Sequence, residues 1–107
     1  MRNYLKYVGD TIYSFKRKYN LSDNQLMFLL FINDENGSFT KRYIRESMFV
    51  SKDFNDTKFP ELVKRDYVFC FEKRAWNSHK PNKYRVTSKT RRLINKFYNV
   101  LEGIEEI

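Results

Sequence analysis

A chain of 107 residues that is 41% hydrophobic, with ten Phe, eight Tyr, three Gly and two Pro, has the length of one domain and enough apolar surface to offset chain entropy, which excludes a disordered polymer. Its single cysteine, Cys70, allows no internal disulfide, and no stretch approaches the roughly 18 to 20 apolar residues of a membrane span. The formal charge is +8, from 21 Lys and Arg against 13 Asp and Glu, so anionic partners are the first to weigh. A cytoplasmic protein with no membrane span is expected. Met1-Arg2-Asn3-Tyr4 lacks the basic start, apolar run and small-residue cleavage site of a secretory signal and reads as part of the domain.

In chain order, residues 4 to 19 place Leu5, Val8, Ile12, Phe15 and Tyr19 at alternating spacings of three and four, which predicts a helix with one apolar stripe. The next helix starts at Asp23. Ser22 is its N-cap, Gln25 the capping-box partner, and Leu21 with Leu26 the hydrophobic staple. Met27 to Ile32 are apolar nearly all round, as in a central buried helix, and Asn33 to Gly37 stop it. Thr40 to Met48 read as a short helix with Tyr43, Ile44 and Met48 inward and Lys41, Arg42 and Arg45 outward. Residues 52 to 66 are the fourth helical segment, with Phe54 followed by Phe59, Leu62 and Val63. Pro60 costs about 3 kcal/mol deep inside a helix but is tolerated in a first turn, so the helix either starts near Asp56 or Thr57 or is longer and kinked.

Tyr67 to Lys73 are aromatic and β-branched, Arg74 to Asn82 contain Asn, Ser and Pro, and Lys83 to Thr87 alternate basic with apolar, which together predict a β-hairpin. A last helix follows Thr87 or Ser88 as cap, with Leu93, Ile94, Phe97, Tyr98, Leu101 and Ile104 on one face. From Lys73 to Lys96 there are nine Lys or Arg and no acid. Such a run suits a phosphate backbone, whose neutralisation releases condensed counterions, and an anionic membrane surface would satisfy the same charge.

The order of four helical segments, hairpin and helix resembles a winged helix-turn-helix domain of the multiple-antibiotic-resistance regulator (MarR) family. The resemblance rests on Leu21-Ser22 with Gln25, on the run Leu62-Val63-Lys64-Arg65-Asp66-Tyr67-Val68 leading into the wing, and on Tyr84-Arg85-Val86-Thr87-Ser88-Lys89 before the last helix. Three positions depart from that family's habit: Ser78 and Lys80 stand where it often has Asp-x-Arg, and Thr90 stands where it has glycine. The implied fold is mainly α with a small β-hairpin, one domain over residues 1 to 107: an N-terminal dimerisation helix (1 to 20), helix-turn-helix plus wing (21 to 87) and a C-terminal dimerisation helix (88 to 107).

The resemblance also implies a site for double-stranded DNA. The helix of residues 52 to 66 would enter the major groove with Lys52, Asn55, Asp56, Thr57 and Lys58, and Asn55, which can pair with adenine, is the leading base reader. Lys41, Arg42 and Arg45 would hold one phosphate strand. Arg74, His79, Lys80 and Lys83 would reach the adjacent minor groove or its phosphates. A homodimer is expected through Leu5, Val8, Ile12, Phe15, Phe97, Leu101 and Ile104, setting two recognition helices about 34 Å apart over a palindromic site.

His79 has no Cys, Asp or Glu at ligand spacing, so no metal is expected. Cys70 shares a strand face with Val68 and is expected to be buried and inert. Trp76 either stacks on a base or headgroup or covers the sheet. With no glycine-rich phosphate loop and no Ser or Cys paired with a His, neither an enzyme nor a cofactor is expected. Two other readings stay open: a protein-interaction or assembly adaptor of winged-helix fold, and a low-specificity single-stranded nucleic-acid binder.

Overall fold

A computed structural model of the chain describes residues 2–32, 37–48, 53–77 and 79–106. The elements are α1 (Arg2–Tyr19), α2 (Asp23–Ile32), α3 (Lys41–Met48), a π-helical turn (Phe54–Lys58) that runs into α4 (Phe59–Lys64), β1 (Val68–Glu72), β2 (Lys83–Val86) and α5 (Ser88–Leu101). The protein is therefore mainly helical with one two-stranded antiparallel sheet. Residues 33 to 36, part of the expected stop of α2, and the Met48 side chain lie outside the described residues.

The capping box of α2 forms as its spacing predicts. Ser22 Oγ accepts from the Gln25 N–H at 3.2 Å, and Gln25 Oε1 accepts from the Ser22 N–H at 2.9 Å. Gln25 is nevertheless buried, and its Nε2 donates to the Lys58 carbonyl at 3.1 Å, which ties the start of α2 to the end of the π-turn. One side chain thus performs a local and a long-range task.

Three helices end alike. Just past the caps of α1, α4 and α5 a residue turns left-handed, Asn20 at φ 52°, Asp66 at φ 65° and Gly103 at φ 76°. The residue after it then reaches back to a carbonyl five positions earlier: Leu21 to Lys16 at 3.0 Å, Tyr67 to Leu62 at 2.9 Å and Ile104 to Asn99 at 2.8 Å. This arrangement satisfies carbonyls that the helix leaves open, and an apolar residue usually follows it into the core. Leu21 and Tyr67 do so. Ile104 stays exposed, which corrects the expectation that it extends the apolar face of α5: Gly103 ends the helix before it. Cations complete two of these termini. Arg65 donates to the Tyr19 and Asn20 carbonyls at 2.5 and 2.8 Å, and Lys89 Nζ donates to the Arg65 carbonyl at 2.9 Å, each positive charge opposing the negative end of a helix.

The π-turn resolves the difficulty posed by Pro60. At 100° per residue, Phe54 and Phe59 would lie roughly 140° apart on an α-helix and could not both face one core. The wide turn, closed by the Phe59 N–H on the Phe54 carbonyl, brings both rings to Phe28, at centroid distances of 5.5 and 5.8 Å. Pro60 then falls in the first turn of α4, where a missing N–H does little harm.

The core gathers Phe15, Leu26, Phe28, Leu29, Ile32, Ile44, Leu62, Val68, Ile94 and Phe97 with this aromatic group. Phe39 joins it through a bridge that the sequence reading did not foresee, exchanging backbone hydrogen bonds with Tyr84 at 2.9 and 2.8 Å. Phe15 and Phe97 pack edge to face on each other at 5.2 Å and are fully covered within one chain. They are core residues and not dimer contacts, because α1 lies against α5 of the same chain, where Tyr7 Oη also donates to the Val100 carbonyl. Tyr43 departs from expectation as well. Ile44 takes the inward direction on α3, and Tyr43, about 100° away around the helix, is exposed.

The capping box and its long-range branch give a stability test. Ser22→Ala should lower stability by about 1 kcal/mol, and Gln25→Leu by about 1 to 3 kcal/mol because it removes the acceptor of the Ser22 N–H and the bond to the Lys58 carbonyl. In urea unfolding the double variant should lose less than the two singles together, by about 0.5 kcal/mol or more. Strict additivity would show the two hydrogen bonds to be independent.

Candidate nucleic-acid interface

The hairpin separates two clefts, and its pairing explains why. Val68 pairs with Val86, Phe69 with Arg85 and Cys70 with Tyr84, so side chains alternate between two faces of the sheet. Tyr84 and Cys70 line a cleft of about 360 Å³ together with Lys41, Phe59, Pro60, Val63, Lys73 and Asn82. Phe69 and Arg85 line another, of about 480 Å³, against the start of α5.

On the first side, α3 begins at Thr40, whose Oγ1 accepts from the Tyr43 N–H at 3.1 Å. Lys41, Arg42 and Arg45 all lie on its exposed surface. Lys41 Nζ sits 5.4 Å over the Phe59 ring, a cation–π contact that holds the ammonium at the rim of the cleft. Arg42 pairs with Glu46 at 2.9 Å, and that hydrogen bond, with the carboxylate's charge, raises it above the usual arginine range. Its charge toward an outside phosphate is therefore partly offset. Arg45 makes no ion pair among the described residues, so its whole charge faces solvent.

The helical segment after α3 differs more from expectation. Lys52 lies outside the described residues. Asn55 is half-buried, with an amide oxygen that is fully covered and has no hydrogen-bond partner. The position favoured for reading bases thus has its amide oxygen covered by protein. Asp56 and Thr57 are exposed and Lys58 is half-buried. Thr57 Oγ1 lies 3.3 Å from the Asp53 carboxylate. The outward residues here are short and polar or acidic, and the positive charge comes from the neighbouring elements.

In the hairpin, Lys73, Arg74, His79 and Lys80 are exposed, while Lys83 pairs across the strands with Glu72 at 3.4 Å. Asn82 Oδ1 accepts from the Arg74 N–H at 2.5 Å and closes the base of the loop. Trp76 is 96% exposed and therefore covers nothing. Cys70 is also exposed, contrary to expectation: it faces the same way as buried Val68, but the core stops at Tyr84 and Phe59 and no element covers the outer half of β1. Among the described residues no three His, Cys, Asp or Glu side chains come together as a metal site.

The second cleft holds residues absent from the expected site. Arg85 stacks 3.7 Å over the Phe71 ring, with its Nε covered and without a partner, and Lys89, Arg91 and Arg92 line the cleft beside Thr87 and Ser88 at the start of α5. Thr87 caps that helix, accepting from the Thr90 N–H at 3.3 Å while its hydroxyl donates to the Asp66 carbonyl at 2.7 Å. The signal for these residues is present in the sequence, since the acid-free basic run continues past the hairpin as far as Lys96. Compared with protein-family models and with curated proteins, the chain matches none.

Proposed function

We propose that this chain is a sequence-specific, double-stranded DNA-binding transcriptional regulator of winged helix-turn-helix type, the class its sequence resembles. The observation that carries the reading is that Lys41 of α3 and Lys73 of the hairpin line one cleft with Phe59, Pro60 and Val63 of α4, while Arg42 and Arg45 are exposed on α3 and Arg74, His79 and Lys80 are exposed in the hairpin. In this reading α3 and the hairpin hold phosphates on either side, and Asp56, Thr57 and Lys58 meet base edges in the major groove. Asn55 is withdrawn from that role. The charge distribution supports such a division, because the segment entering the groove is close to neutral and its flanks are basic.

Binding should be read by fluorescence anisotropy on labelled duplex between about 50 and 200 mM salt, where phosphate contacts act strongly. The affinity should fall steeply with salt while selection enriches one sequence. Arg45→Gln with Arg74→Gln should flatten the logarithmic salt slope by about two. No duplex binding at low salt would overturn the reading and leave the hairpin as a protein-facing adaptor surface.

A second reading, low-specificity binding of single-stranded nucleic acid, is favoured by Trp76, fully exposed between Arg74 and Lys80. It requires Trp76→Ala to weaken single-strand binding by about 1 to 3 kcal/mol, the usual worth of one stacked base, with duplex binding unchanged.

Dimerisation belongs to the proposal too, now through Leu5, Val8, Ile12, Leu101 and Ile104 without Phe15 and Phe97. Leu5 and Ile104 are 71% and 69% exposed, and Tyr4 and Tyr13 widen the apolar surface of α1. Light scattering at micromolar concentration should give the mass of two chains, and Leu5→Asp should halve it with an unchanged circular dichroism spectrum. A single-chain mass for the unaltered protein across that range rejects the dimer.

A further inference from the structure

Five of the nine cations in the acid-free basic run have no place in the interface proposed above. Arg85 lies on β2, on the face of the sheet opposite Cys70 and Tyr84, and Lys89, Arg91, Arg92 and Lys96 lie along α5. Lys89, Arg92 and Lys96 are spaced by three and four residues, which places them in one stripe roughly 10 Å long. The cleft of about 480 Å³ against the hairpin adjoins one of about 250 Å³ lined by Tyr19, Tyr67, Leu93 and Lys96, with Lys89 and Arg92 lining both. The result is an open, mainly basic track, with Asp66 as the acid in its lining.

Its charges are not consumed by ion pairs. Arg91 and Arg92 have none among the described residues, and Lys96 has only a 4.0 Å approach to Glu105. Lys18, from α1, stands beside Lys96, and that ammonium, through hydrogen bonding and like-charge repulsion, holds Lys18 below the usual lysine range. Two cations pressed together at a surface are an arrangement that a bound polyanion relieves. The first turn of α5, capped by Thr87, adds positive potential at one end of the track.

We infer that a nucleic-acid phosphate backbone runs along this track, held by Lys18, Arg91, Arg92 and Lys96, as a second contact surface on the opposite side of the hairpin from α3. A backbone fits better than a compact anion, since the cations are strung out along a helix and do not converge on one point. Of the aromatic rings here, Tyr19 lies 5.7 Å under Lys18 and Tyr67 lies 4.3 Å under Lys89, while Phe69 stays exposed. Phosphate contacts carry no sequence information, so binding along α5 should be indifferent to sequence. The inference shares its partner class with the preceding proposal but not its residues.

The test compares three proteins by anisotropy on a labelled random-sequence duplex of about 25 base pairs at several salt concentrations, with inorganic pyrophosphate titrated by calorimetry. One is the unaltered chain, one carries Lys18→Gln, Arg91→Gln and Arg92→Gln, and one carries Lys41→Gln, Arg45→Gln and Arg74→Gln. All substituted positions are exposed, and circular dichroism checks that each variant folds. Lys89 is left intact because it completes the end of α4. The α5 variant should lose about tenfold in affinity at 50 mM salt and flatten the slope by two to three, one unit for nearly every phosphate contact removed. If it keeps the unaltered affinity and slope, the inference fails and the α3 and hairpin interface stands. If the α3 and hairpin variant instead keeps full affinity while the α5 variant loses it, the track is supported and the preceding proposal fails. Loss of pyrophosphate heat with an unchanged duplex slope overturns the track in favour of a compact anion site. Absence of duplex binding by the unaltered chain overturns both.

Discussion

The Phe59 ring is the contact on which the arrangement of the functional surface depends. It meets Tyr84 of β2 edge to face at 4.9 Å and 87°, and Phe28 of α2 at 5.8 Å and 73°. Edge-to-face pairs add roughly 0.5 to 1.5 kcal/mol beyond their buried area, and unlike aliphatic contacts they favour particular angles. Phe59 therefore sets both the distance and the inclination between α4 and the hairpin. Its outer face carries Lys41, so the same ring positions the first cation of α3. A leucine at this position would retain apolar area but lose the directional contact that joins three elements.

This constraint also accounts for the irregular backbone nearby. Burying Phe54 and Phe59 against one partner ring needs a turn wider than an α-helix, and Asn55, next to Phe54 in that turn, has its amide oxygen covered. The local chemistry of Asn55 fits a base reader, yet the pull of two aromatic rings outweighs the preference of one polar side chain for solvent. Burial of a phenylalanine is worth about 1.5 to 3 kcal/mol, against about 1 to 3 kcal/mol for an unsatisfied amide oxygen. Two rings against one oxygen decide the direction.

What the sequence reveals follows from how local each cause is. The Ser22 and Gln25 box, the cap at Thr87 and the extent of the two strands depend on neighbours within a few residues, and each can be read from spacing. Gly103 was equally readable as a helix stop, since the left-handed residue after a helix is most often glycine. The apolar stripes of α1 and α5 are a different case: periodicity identifies a face to be covered but not whether the cover comes from the same chain, and Phe15 finds Phe97 within it. Strand alternation likewise assigns Cys70 to the face of Val68 without telling how far the core extends beneath it. The cationic residues of α3 and the hairpin were legible from composition. Their partial neutralisation by Glu46 and Glu72 depends on which acid lies within reach, and only three-dimensional placement decides that.

The same distinction separates structural from available charge. Arg65 and Lys89 complete helix ends, Lys16 pairs with Asp23, and Lys83 and Arg42 have carboxylate partners. Of the remaining cations, Lys41 and Lys73 line the cleft on one side of the hairpin and Arg91 and Arg92 the cleft on the other, while Lys6 and Arg17 lie apart on α1. The acidic tail sets a limit along α5. Glu105 approaches Lys96 at 4.0 Å, and its carboxylate accepts from Asn99 Nδ2 at 3.4 Å, directly after the left-handed turn at Gly103. By folding the chain back over the last turn of α5, that turn places negative charge where the basic stripe ends, while Leu101 and Ile104 lie beyond it. One helix thus carries Lys89, Arg91 and Arg92 on its exposed face and Leu93, Ile94, Phe97 and Val100 on its buried face.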